Sequence, residues 1–193
     1  MRRLPDRAEA ELKAEMQLAE LPDRWLHTQQ VAARAEELAT AVPAEERELV
    51  VVAAWWHDLG YSPELRTSGM HQLDGASYLA AQGYPDRLCA LVAHHSAAAF
   101  EAMERGLLDE LDVWPREESA VADALWTADM TTGPRGERLC FPARFEEILE
   151  RYRADSPVAR AMRRARPSIE AAIARTEARL ARRLGPSADL NVR

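Results

Sequence analysis

Residues 49–60, LVVVAAWWHDLG, open on eight residues without a polar side chain and close on a histidine–aspartate pair before a glycine. Ala44 precedes them, and Glu45, Glu46 and Glu48 follow it in what would be a first helical turn, where negative charge suits the helix dipole. Gly60 is a natural stop. The segment 44–60 therefore reads as one helix, and because residues 50–56 are apolar all round it belongs in the centre of a bundle. Working outward, no stretch alternates β-branched and polar residues as a half-buried strand would, so the expected class is all-α. A short helix is expected at about 6–19. Pro22-Asp23 opens another to about 41, where Pro43 stops it. Helices at about 71–82 and 85–98 are separated by Gly83-Tyr84 before Pro85, and Phe100 to Arg105 adds a short turn. Pro115 suits the first position of a helix running to Met130. Gly133, Pro134, Gly136 and Pro142 mark 131–142 as the clearest loop, and helices follow at 143–153 and 157–184, the last expected to break near Pro167.

The chain has 193 residues, 47% of them hydrophobic, and no polar linker long enough to divide it, so a single domain over 1–193 is expected. A chain of this size buries roughly 70% of its unfolded surface and needs neither disulfide nor metal merely to fold. Two cysteines, Cys89 and Cys140, are too few for a disulfide framework, and the N-terminal residues lack the apolar stretch of a signal peptide. The longest apolar run falls far short of the ~20 residues that cross a bilayer, so neither a membrane span nor a membrane partner is expected, and the expected location is cytoplasmic. Charge is uneven. Residues 151–193 carry 11 Arg against four acidic residues, a net of +7, so the first 150 carry −14 within the overall −7. Lys13 is the sole lysine. The basic segment 143–185 is expected to lean as solvated helices on the acidic body rather than to bind nucleic acid.

All five histidines fall between residues 27 and 95, in WLHTQQV (25–31), WWHDLG (55–60), GMHQLDG (69–75) and VAHHS (92–96), at or near helix ends or turns. One histidine on an apolar helix is usually a core residue satisfied by a carbonyl. Five of five need another explanation. Asp58 directly follows Trp55-Trp56-His57, where a carboxylate would be buried at a cost of several kcal/mol without a cation. Asp129 repeats the situation after Ala122, Leu125 and Trp126.

With those residues in view, the chain resembles the HD-domain superfamily of metal-dependent phosphohydrolases, whose pattern H…HD…D reads here as His27, His57-Asp58 and Asp129. Arg24-Trp25 before the first histidine, Gly60 after the pair and Ala128-Asp129 at a helix end agree with it, over a core of about 21–132. The resemblance extends to the binuclear branches, the HD-type diadenosine polyphosphate hydrolases, cyclic-di-GMP phosphodiesterases and mixed-valent di-iron oxygenases, in which His71 and His94 occupy the places of the added histidines. It implies two metals bridged by Asp58, with His27, His57 and Asp129 at one and His71 with His94 or His95 at the other. Such a donor set favours Fe, Mn, Zn or Co over Mg. The paired-histidine pattern of these relatives places the ligand at His94 and leaves His95 beside the substrate, able to transfer a proton. Gly83-Tyr84-Pro85 spells the GYP of the phosphodiesterases but precedes the paired histidines instead of following them, and reads as a turn. Tyr61 stands three residues after Asp58, where several nucleotidases of the superfamily have Glu as acid and other branches Lys.

The implied reaction is hydrolysis of a phosphate ester or nucleotide-like small molecule, with Asp58 and His95 at the chemistry and Arg66 and Arg135 as phosphate clamps, joined by Arg138 from the same loop as Arg135. Thr131 and Thr132 read first as turn caps. Two alternatives stand beside it: a mixed-valent di-iron oxygenase acting on a small polar substrate, and a non-catalytic HD regulatory module, disfavoured because every ligand type is intact. Self-association into a homo-oligomer is left open by the sequence.

Overall fold

The computed structural model describes residues 2–184, and among these no strand occurs, only an isolated antiparallel bridge between Thr132 and Arg138 that tightens the 131–142 loop. The helices are α1 (Arg7–Leu18), α2 (Pro22–Leu38), α3 (Arg47–Trp56), α4 (His71–Ala81), α5 (Asp86–His94), α6 (Ala98–Arg105), α7 (Leu108–Leu111), α8 (Ala120–Met130), α9 (Phe141–Arg151) and α10 (Pro157–Leu184). The all-α expectation holds. None of these helices is long and apolar enough to cross a membrane.

Central α3 is buried from Leu49 to Trp56 and packs against α1, α2, α5 and α8, as its all-round apolarity requires. Trp56 reaches the far side of the core and donates its indole N–H to the Ala10 carbonyl at 2.9 Å, so its one polar atom is satisfied. Where it closes, the chain makes a tight approach to α4. A Cβ on Gly60 would collide with the His71 carbonyl oxygen and lie 2.7 Å from Gly75 N, both backbone atoms that cannot swing aside. Gly60→Ala is expected to cost about 3 kcal/mol, at the top of the overpacking range, and to lower Tm by roughly 6–12 °C in a thermal melt. A melt unchanged from the native protein would mean that α4 tolerates displacement.

Several boundaries differ from the sequence reading, among them the end of the helix expected over 85–98, which stops at His94. The third helix becomes a 3-10 turn (Ala44–Glu46), α3 proper and a second 3-10 turn (Leu59–Tyr61). Pro115 does not start α8; Ser119 caps it, its hydroxyl accepting from Ala122 N at 3.1 Å. Pro167 does not break α10, which runs through it from Pro157 to Leu184, because the long helix is held on both sides of the proline. On one side Glu104 of α6 binds Arg160 and Arg164; on the other, buried Asp123 of α8 accepts from Arg175 at 2.9 and 2.6 Å and from Arg179 at 2.7 Å. Four arginines of α10, Arg160, Arg164, Arg175 and Arg179, thus lean on carboxylates of the acidic body. Residue 185, at the edge of the expected C-terminal helical segment, lies outside the described residues.

Candidate metal centre

His57 ends α3, and its Nδ1 lies 2.7 Å from the Ala54 carbonyl. His27 of α2 places Nδ1 2.9 Å from the Gly133 carbonyl, and His95, just past α5, places Nδ1 2.7 Å from the Val92 carbonyl. A carbonyl only accepts, so each of these rings carries its proton on Nδ1 and aims the Nε2 lone pair the other way. All three lone pairs, with Nε2 of half-buried His71, converge on two buried carboxylates. His27 Nε2 is 3.1 Å from Asp129 Oδ1, His57 Nε2 is 3.2 Å from Asp58 Oδ2, and His71 Nε2 is 3.3 Å from Asp58 Oδ1. His95 Nε2 is 3.2 Å from His71 Nε2 and 3.9 Å from Asp58 Oδ1. Two donor groups result, His27 with His57 and Asp129, and Asp58 with His71 and His95, each with donor atoms within 4.8 Å of one another.

Lone pairs facing carboxylate oxygens at this range repel unless positive charge lies between them. His57 Nε2 is buried without a hydrogen-bond partner. Protons do not supply the charge throughout: burial and the neighbouring imidazoles of His71 and His57 push the His95 pKa down to about 3, and burial likewise lowers that of His27. His57 is different, since burial opposes its protonation but the charges of Asp58 and Asp129 overcome it and raise its pKa. Burial also works against ionisation of the two aspartates, yet Arg24 and His57 hold Asp58 well below the usual carboxylate range, and His27 and His57 hold Asp129 below it. Imidazoles whose far nitrogens are fixed by backbone carbonyls, as those of His27, His57 and His95 are, set around ionised carboxylates, are the donor set of a divalent transition metal. The residues fit such an ion.

His94, the ligand expected from the paired-histidine pattern, is outside both groups. Its Nε2 lies 2.8 Å from the Trp114 carbonyl. The reversal has a backbone cause: α5 ends at His94, His95 is extended (φ −62°, ψ 151°), and Ser96 and Ala97 adopt left-handed conformations at φ 51° and 60°. The 100° step between helical neighbours therefore does not relate the two rings. Two successive left-handed residues without glycine cost on the order of 1–3 kcal/mol each, and strain of this kind gathers at working sites. It turns the Ser96 hydroxyl to donate to Asp129 Oδ2.

The expected phosphate clamps divide. Arg66 lines the cavity beside the cluster while its Nη2 donates to the Tyr61 carbonyl at 3.1 Å. Arg135 is exposed, 3.5 Å from Glu137, and does not line that cavity; Arg138 is bound to Glu37. Both arginines are exposed on the 131–142 loop, whose Gly133 carbonyl faces His27. Thr131 and Thr132 donate to the Thr127 and Ala128 carbonyls at 2.6 and 2.8 Å, closing the last turn of α8.

Sequence reasoning gave Arg24 no role at the centre. Its Nη1 donates to Asp58 Oδ2 at 2.5 Å, and its guanidinium lies 3.9 Å from the Tyr61 ring centroid. The signal was its position three residues before His27 on the same helix, which puts both on one face. Tyr61 also stacks on His71, centroids 4.1 Å apart, and burial raises its pKa, keeping the phenol neutral. The cavity, about 320 Å³, is bounded by Asp58, His71, His95 and Asp129, and elsewhere by residues of α9 and α10 that sequence reasoning had placed only as packing helices.

A helical bundle whose element ends gather four imidazoles and two carboxylates beside a cavity defines a protein with a histidine–aspartate cluster that could hold metal. The sequence model of the HD domain family matches residues 24–183, and the chain belongs to that family. The match includes α9 and most of α10, beyond the 21–132 core over which the resemblance was expected to run. The family covers metal-dependent phosphohydrolases together with non-catalytic members. Neither a curated protein nor a solved structure matches the chain.

Proposed function

We propose that this protein is a metal-dependent phosphohydrolase acting on a phosphate ester or nucleotide-like small molecule. The observation that carries this reading is that the donor cluster borders one cavity whose lining includes Arg24, Arg66, Arg105, Arg144 and Arg151. Guanidinium matches phosphate geometry, and a cavity at the low end of the roughly 300–1,000 Å³ of ligand sites suits a small molecule, not a polymer. When bound, a divalent metal supplies Lewis-acid polarisation and an acidified water as nucleophile.

The chain's own residues do the rest. Asp58 presents Oδ2 to one donor group and Oδ1 to the other, while Arg24 holds that carboxylate in place and keeps it ionised. Asp129 is oriented by the Ser96 hydroxyl, which donates to its Oδ2. Arg66 is positioned to meet an anion from the cavity side. Tyr61, neutral and at the cavity wall, offers an O–H donor where the related nucleotidases have a carboxylic acid.

The test is phosphate release from a panel of phosphomonoesters and nucleotides by protein loaded separately with Mn, Fe, Zn or Co, with and without oxygen. Release that needs metal, stops with chelator and ignores oxygen is the expected result. Oxygen uptake without phosphate release would assign the site to oxidation. Inactivity of the fully loaded protein under all conditions would leave a regulatory module.

A further inference from the structure

The cavity wall from α9 carries a second cationic site that the metal centre does not explain. Arg144 is only 3% exposed, an unusual place for a guanidinium, and lines the cavity. Its Nη1 donates to Glu147 at 2.5 Å, but its Nε is buried with no hydrogen-bond partner. Arg151, one turn beyond Glu147 on the same helix, lines the cavity too and shares that carboxylate at 3.1 Å. Two guanidiniums thus divide one glutamate, and the glutamate itself is not part of the lining. The other cavity arginines are differently placed: Arg24 is committed to Asp58 and Arg105 to Glu101. A buried charge with an unused donor costs several kcal/mol unless an acceptor reaches it.

From the orphaned Arg144 Nε, the shared Glu147 and the position of both arginines on a helix that contributes nothing to the donor cluster, we propose that α9 forms an oxyanion subsite, and that the substrate is a phosphoester bearing a second anionic group, carboxylate or phosphate, held by Arg144 and Arg151. The inference rests on the phosphohydrolase reading and narrows it to doubly anionic small molecules. Ile148, Met162 and Ala165 line the same cavity with apolar surface, which suits a carbon skeleton joining two charged ends.

Non-hydrolysable probes test this without turnover. Isothermal titration of the metal-loaded protein would compare alkylphosphonates with ω-carboxyalkylphosphonates and α,ω-bisphosphonates over chains of two to five methylenes. At least one doubly anionic class is expected to bind about tenfold more tightly than the alkylphosphonate of matched length, as one charge-assisted hydrogen bond provides. Which class gains identifies the second group as carboxylate or phosphate. Arg144→Met and, as a more exposed position whose loss spares the core, Arg151→Met should each reduce that advantage at least threefold. Glu147→Gln, which frees both guanidiniums, should increase it. Alkylphosphonates that bind as tightly as every doubly anionic probe would overturn the inference and leave the phosphohydrolase reading standing. An advantage untouched in both arginine variants would do the same. Binding of no phosphonate at all would overturn the phosphohydrolase reading, and this inference with it.

Discussion

Replacing Asp58 with alanine is expected to remove metal and hydrolysis together, lowering kcat/KM by roughly three orders of magnitude or more. Its two oxygens face different donor groups, Oδ2 toward His57 at 3.2 Å and Oδ1 toward His71 at 3.3 Å, so one substitution removes a carboxylate oxygen facing each. Losing the several kcal/mol of charge stabilisation that such a centre supplies, about 4 kcal/mol for a thousandfold effect, sets that scale. The same change strands Arg24, which stays cationic and is largely buried, so stability falls as well. Asp58→Asn keeps the volume and a hydrogen-bond acceptor for Arg24, and separates the two effects. Metal content measured on protein shown to be folded by circular dichroism is the deciding quantity. Alanine or asparagine variants that retain a full complement of metal would show that this carboxylate is not shared.

The histidine pair carries the second large effect. His95→Ala is expected to lose about one metal per chain and at least 100-fold in turnover, whereas His94→Ala keeps its metal. His95 Nε2 faces the cluster with its far nitrogen fixed on the Val92 carbonyl, and removing a ligand costs more than the 10–100-fold of a supporting contact. His94 instead bonds the Trp114 carbonyl, a link between the end of α5 and the segment leading to α8. Its loss should cost about 1 kcal/mol, a fall in Tm of roughly 2–4 °C. Metal analysis and thermal melts of the two variants side by side decide the matter. A metal lost from the His94 variant and retained in the His95 variant would reverse the assignment made from the geometry.

Much of this protein is written locally. The run from Leu49 to Trp56 has no polar face, so it had to lie in the middle of a helical bundle, and it does. His57-Asp58 at the end of that run had to be answered by charge from elsewhere, because a carboxylate cannot remain ionised in an apolar core alone. Those constraints act within a few residues of one another and can be read along the chain. Arg24, three residues before His27, is legible in the same way, because positions three apart share a helix face. Other features were not local. His27 meets Asp129 across 102 residues, and motif order could name both without giving their distance or the carbonyl that turns each ring. The choice between His94 and His95 depended on the chain leaving α5 through two left-handed residues, a conformation that neither Ser96 nor Ala97 prefers. Periodicity extends a helix through such a point, since only the packing that surrounds it can impose the strain. The cavity is the extreme case: α9 and α10 read as basic helices leaning on the acidic body, and what brings Arg144 and Arg151 to the cavity wall is the lodging of those helices beside the histidine–aspartate cluster. Sequence by itself determined the class of fold and the chemistry of the donors; tertiary structure decided which donors face inward and what the cavity can hold, because side-chain direction and enclosure are set by contacts between segments far apart in the chain.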